Sequence, residues 1–143
     1  MIFAGGIPVK RGMMTNFHSF HPTDPLQRAI ELTLATPQQD FPDVENDRVV
    51  GILPSRELLA ALHHRGPETL VRDVMRHDYL PLDAKDMLDR ALARIRAAAG
   101  CTTSPVVRGG ALIGLLTATN VSEFLLIVSA LDERRAGNAA VTS

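Results

Sequence analysis

Few residues in this chain are of a type and spacing that suggest chemistry. His18 and His21 stand three apart, a spacing a metal ion can use. They lie in a loop-like stretch with no cysteine and no second pair beside them, so the pattern favours loop histidines over a metal site. His63 and His64 fall at a predicted helix end, where a cation complements the helix dipole. Cys101 follows Gly100 in a turn before a strand, and no histidine is framed as its base. There is no Ser-His-Asp framing, no Walker loop and no Gly-x-Gly-x-x-Gly run. No catalytic constellation emerges, and the chain reads as a non-enzyme. Asp43, set between Pro42 and Val44, has two readings. It is a partly exposed strand position, or a cleft-facing carboxylate that repels phosphate and favours a neutral or cationic ligand.

Composition narrows the class further. The chain has 143 residues, 45% hydrophobic and 22% charged, ordinary values for a globular protein with a buried core. Its net charge of -1 lacks the basic excess that nucleic acid or a membrane surface would attract. One cysteine forms no internal disulfide, which points to a reducing, cytoplasmic location. No apolar run reaches the ~20 residues of a bilayer span, so no membrane insertion is expected. The start lacks a basic segment ahead of an apolar one and does not read as a signal peptide.

The elements that must position these residues come in two copies. Pro42, Val44 and Gly51 recur as Pro105, Val107 and Gly114, each 63 positions later. The apolar pairs Val49/Leu112, Val50/Ile113, Ile52/Leu115 and Leu53/Leu116 keep that offset. Each copy reads as a hairpin around a polar turn, Glu45-Asn46-Asp47 or Arg108-Gly109-Gly110, with a second strand buried on both faces. A helix precedes each hairpin. Asp24 suits an N-cap, Pro25 the first turn and Gln27 a capping box, ahead of a stripe of Leu26, Ala29, Ile30, Thr33 and Leu34. Asp83 suits the cap of the second, with Leu88, Ala91, Leu92, Ile95 and Ala99 on one face and Gly100 as its stop. Helices also follow the hairpins, near residues 56–64 and 120–131. Met14 and Met75 open the two copies just before a first short strand. The fold class is therefore α+β, with two β-α-β-β-α motifs packed as one pseudo-symmetric module. The expected boundaries are residues 12–65 and 69–132, with a flexible tail at 133–143. Thr117 and Asn120, at the end of the last strand, suit the N-terminus of the last helix. That helix is apolar nearly all round, which suggests a partner surface.

This arrangement resembles a tandem CBS domain pair, or Bateman module. The Met14-Thr15 and Met75-Arg76 openings, the Pro-x-Val cores and the Val-Val-Gly-Ile-Leu and Leu-Ile-Gly-Leu-Leu-Thr strands carry the likeness. The run Gln38-Gln39-Asp40-Phe41-Pro42 further resembles the CBS region of site-2-protease-like zinc metallopeptidases.

The resemblance implies a regulatory role without catalysis or an obligatory cofactor, with AMP, ADP, ATP or S-adenosylmethionine as candidate ligands. In the family, a Gly-x-x-Ser/Thr-x-x-Asp run places a hydroxyl on phosphate and a carboxylate on ribose. Here the second copy reads Gly114 to Asn120, keeping Thr117 but replacing the carboxylate by an amide. The first reads Gly51 to Glu57, with Pro54 in place of the hydroxyl and Arg56 able to supply phosphate charge. The implied ligand-binding set is Thr117, Asn120, Thr119, Ser104, Pro105, Tyr79, Phe41, Asp43, Arg56 and Glu57. Capping alone remains the other reading of Thr117 and Asn120. The family likeness also implies a homodimer through the helices after each hairpin, or docking on a membrane metallopeptidase. The rival from another class is a ligand-free dimerisation or protein-interaction module.

Overall fold

The computed structural model describes residues 7–97 and 103–142. In chain order its elements are α1 (Leu26–Ala35), β1 (Asp40–Glu45), β2 (Arg48–Pro54), α2 (Ser55–Arg65), β3 (Leu82–Asp83), α3 (Leu88–Ala97), β4 (Thr103–Arg108), β5 (Ala111–Thr117) and α4 (Ala118–Thr142). Two short 3-10 turns, Val9–Arg11 and Val71–Asp73, lie near the starts of the two copies. The protein is a mixed α+β fold.

Two antiparallel hairpins, β1–β2 and β4–β5, form its centre. Each reverses on two residues with left-handed backbone. Asn46 and Asp47 have φ of 54° and 64°, and Gly109 and Gly110 have 59° and 87°. Such turns match the twist of the strands they join, and Asn, Asp and Gly tolerate them best. Each hairpin is irregular at the same place, between Asp43 and Val44 and between Val106 and Val107. The hairpins join where Arg48 meets Ala111, and β3 lies parallel to β4, giving the order β1-β2-β5-β4-β3.

The openings of the two copies are exchanged. The Met14 amide donates to the Leu115 carbonyl at 2.7 Å and the Met14 carbonyl accepts the Leu115 amide at 2.9 Å, so the first copy's opening pairs with the second copy's strand. Arg76 makes the same two bonds to Ile52 of β2. Helix starts follow suit: the Leu88 amide donates to Ile7, and the Leu26 amide to Thr69, both at 2.8 Å. Two cores result. One joins Phe20, Leu26, Ala29, Phe41, Leu53, Leu58 and Ala61 to Val71. The other joins Leu82, Leu88, Ala91, Ile95, Val106, Leu116 and Val121 to Val9. Close approach explains the repeated glycine. A Cβ added at Gly51 would lie 2.7 Å from Met75 Sδ, and one at Gly114 2.6 Å from Met13 Sδ.

Several local expectations are corrected. The counterpart of Met75 is Met13, not Met14, because both methionines pack on the equivalent glycine. The opening strands reduce to single bridges at Met14 and Arg76. Asp24 does not cap α1: its carboxylate accepts the His21 amide at 2.9 Å and meets Arg28, while backbone carbonyls of Thr69 and Pro67 take the first helical amides. Asp83 likewise accepts the Lys85 amide in a turn, and α3 starts five residues later at Leu88. Leu34 is 84% exposed, so the α1 stripe stops short of it. The last helix continues well past Leu131 to Thr142, since the following Ala, Glu and Arg residues favour helix. Ala99, Gly100 and Cys101 lie outside the described residues.

Candidate functional site

The connector from α1 to β1 faces the end of β5 across a cleft of about 480 Å³. Thr36, Pro37, Gln38, Gln39 and Asp40 line one side. Thr117 ends β5, and Thr119 and Asn120 lie in the first turn of α4, facing them. Met14, Asn16 and His18 of the opening segment, with Leu115 and Thr103, complete the lining.

The walls are braced by specific hydrogen bonds. Gln38 clamps two segments: its Oε1 accepts the His18 amide at 2.8 Å, and its Nε2 donates to the carbonyls of His18 (2.8 Å) and Asp40 (2.9 Å). The Thr103 hydroxyl donates to Asp40 Oδ2 at 2.6 Å. These two residues occupy equivalent places in the repeat, 63 apart, so the bond ties the copies together across their pseudo-twofold. Thr117 Oγ1 accepts the Asn120 amide at 2.9 Å. It therefore caps α4 and lines the cleft at once.

The corresponding place in the first copy is organised by charge. Arg76 stands where the second site has Met14. Its guanidinium reaches Glu57 at 3.4 Å and grips Asp78 with bonds of 2.9 and 2.5 Å. That grip holds the Asp78 carboxyl below the usual carboxylate range. Glu57, counterpart of Asn120, is thus engaged by an arginine of the chain itself. Pro54 closes β2 with no hydroxyl to offer.

The residues expected at a ligand site separate into three groups. Thr117, Thr119 and Asn120 come together in the open cleft. Arg56 and Glu57 lie on α2 in the other copy. Tyr79 is half-buried there, its hydroxyl donating to the Val49 carbonyl at 3.1 Å, and burial pushes its pKa up. Phe41, Ser104 and Pro105 are buried in the hairpins, and Phe41 packs on Phe20 with ring centroids 4.8 Å apart.

Asp43 fits neither expectation, being 0% exposed and absent from the cleft lining. Neither carboxylate oxygen has a hydrogen-bond partner among the described residues. Burial, reinforced by the Asp24 carboxylate, pushes its pKa from 3.8 up to about 8. His18 and His21 also part company. His18 faces the cleft, while His21 Nδ1 meets the Thr23 hydroxyl at 2.7 Å.

Sequence reasoning missed Asn16, Thr36, Asp40 and Thr103 as cleft residues. The available signal was the offset of 63 between Asp40 and Thr103, the same offset that pairs the two hairpins.

The comparisons agree with this architecture. The family model for the CBS domain matches residues 6–64 and again 71–127, so the chain belongs to the CBS domain family as a tandem pair. AcuB from Vibrio cholerae superposes with a TM-score of 0.80 at 25% identity, over 90% of this chain and 96% of that one. CBSX2 in complex with AMP gives 0.76 at 25% identity, over 87% and 99%. A CBS domain pair in complex with 5′-methylthioadenosine and S-adenosyl-L-methionine gives 0.72 at 17% identity, over 82% and 94%. Comparison with curated protein sequences gives no match. No helix among the described residues is long and apolar enough to cross a membrane.

Proposed function

We propose that this CBS pair is a non-catalytic regulatory module that holds an adenosine-type ligand in the cleft around Thr117 and Asn120 and passes the change to a partner. The observation that carries the reading is the cleft itself. It presents the hydroxyls of Thr117 and Thr119 and the Asn120 amide beside the apolar Met14 and Pro37. A cavity with a few convergent polar groups on an apolar surface suits a nucleoside. Two of the structural neighbours, CBSX2 with AMP and the pair with S-adenosyl-L-methionine, support the ligand class. The cytoplasm suits the single cysteine and the acid–base balance. On the resemblance of residues 38–42, the partner is a site-2-protease-like membrane metallopeptidase, with this chain as its regulatory portion.

A second reading is a ligand-free dimerisation or interaction module. It is favoured by Pro54 in the first copy, by the Thr117 hydroxyl already accepting a helix amide, and by exposed apolar residues on α4.

Thermal unfolding with AMP, ADP, ATP and S-adenosylmethionine separates the two. A ligand at ~100 times its Kd adds ~2.7 kcal/mol of stability. For a chain of this size that raises Tm by about 2–4 °C per kcal/mol. The Asn120→Ala variant is expected to lose that rise. Thr117→Ala costs about 1 kcal/mol through its cap even without ligand, so its ligand response is read against its own apo Tm. No shift with any nucleotide at millimolar concentration would favour the interaction module.

A further inference from the structure

The cleft carries an unusual charge pattern for a nucleotide site. No lysine or arginine lines it among the described residues. Its carboxylate is Asp40, with one oxygen fixed by the Thr103 hydroxyl at 2.6 Å and the backbone held by Gln38. The chain does own cations at the equivalent place in the first copy, but there Arg76 is paired with Glu57 and Asp78. A phosphate entering the open cleft would meet a fixed like charge and no guanidinium or ammonium. Against it stand hydroxyls, amides, the His18 imidazole and the first turn of α4, where the Asn120 amide is already taken by Thr117. Anions are bound most strongly by charge-assisted donors, and no guanidinium or ammonium lines the cleft among the described residues.

We infer that Asp40 is a specificity residue: the cleft selects nucleosides whose 5′ substituent is uncharged or cationic and disfavours 5′-phosphates. The inference rests on the sensor reading above and narrows its ligand class. A carboxylate in a partly enclosed wall attracts a sulfonium or amine and leaves a thioether unpenalised, while like-charge juxtaposition penalises a phosphate dianion. Met14 and Pro37 supply an apolar surface that a thioether or sulfonium-bearing chain can cover.

The test is calorimetric titration of the full chain with 5′-methylthioadenosine, S-adenosylmethionine, AMP and ATP. It is run at low salt, where screening is weak. The expected result is that the two sulfur nucleosides bind at least about tenfold tighter than AMP, a gap of ~1.4 kcal/mol. Asp40→Asn keeps an oxygen for Thr103 and is expected to close most of that gap by raising AMP affinity. AMP or ATP binding as tightly as the sulfur nucleosides would overturn the inference and leave the sensor reading standing. An unchanged ratio in Asp40→Asn would remove Asp40 from the role. Binding by none of the four would overturn the inference and the sensor reading together.

Discussion

Asp43 is the residue whose surroundings most oppose its chemistry. Its counterpart, Val106, is an ordinary core residue, fully buried in the second hairpin. Asp43 holds the same place with a carboxyl that has no hydrogen-bond partner among the described residues. An unsatisfied buried polar group costs about 1–3 kcal/mol. Asp43→Val is therefore expected to raise stability by at least that amount near neutral pH, read as a higher midpoint in urea. The pH dependence has a definite sign. The folded-state pKa, about 8, lies above the ordinary 3.8. The folded protein thus binds more protons than the unfolded chain between those values. The contribution is fully present below about pH 3.8, declines as pH rises at up to about 1.4 kcal/mol per unit, and is gone once pH passes about 8. Midpoints measured from pH 5 to 9 should fall for the wild type and flatten in Asp43→Val. A wild-type profile indistinguishable from the variant's would show that Asp43 does not titrate in this range.

At the scale of elements, the exchanged openings depend on the two repeated glycines. A methyl at Gly114 would stand 2.6 Å from Met13 Sδ and 3.0 Å from the Met14 carbonyl. The methionine can swing, but the backbone carbonyl is held by its bond to the Leu115 amide. Gly114→Ala is expected to cost about 1–3 kcal/mol, the range for overpacking a filled site. Faster amide exchange at Met14 and Leu115 would localise the damage to the bridge; an unchanged midpoint would show that the opening segment adapts. The hairpins themselves were legible in the sequence because strand alternation and turn residues are local signals, visible in Asn46-Asp47 and Gly109-Gly110. The exchange was not, because Met14 meets Leu115 from a hundred residues away and a single bridge leaves no periodic trace. The helix caps misled for a similar reason. Asp24 and Asp83 have the right type for capping, yet the Leu26, Gln27 and Leu88 amides that open the helices are taken by the backbone carbonyls of Thr69, Pro67 and Ile7. The cleft was half legible. Thr117, Thr119 and Asn120 sit on one strand-to-helix turn, whereas Asp40 and Gln38 reach them only through the packing of one copy on the other.

For the molecule as a whole, the cleft and the exposed apolar surface share one helix. Asn120 is in the first turn of α4, and Ile127 and Leu131 follow on the same helix, 59% and 51% exposed. At 1.5 Å per residue, Asn120 and Ile127 lie only about 10 Å apart along the axis. A ligand that reorients the first turn would therefore move this surface with it. Val121 is buried and Phe124, Leu125 and Val128 are half-buried, so the core already uses one side of the helix. Ile127 and Leu131, one turn apart, extend the apolar area beyond it, which is the pattern of a partner surface. We expect a second copy of the chain to cover it. Light scattering behind gel filtration at tens of micromolar should give the mass of two chains for the wild type. Ile127→Glu and Leu131→Glu, singly or together, should give one, with little change in the unfolding of the dissociated chain because both side chains are exposed in the monomer. If the protein senses ligand through this helix, the dimer's dissociation constant should also change when the cleft is filled, by the same factor that dimerisation changes ligand affinity. A wild type that runs as one chain would remove the homodimer and leave the α4 surface to a different partner.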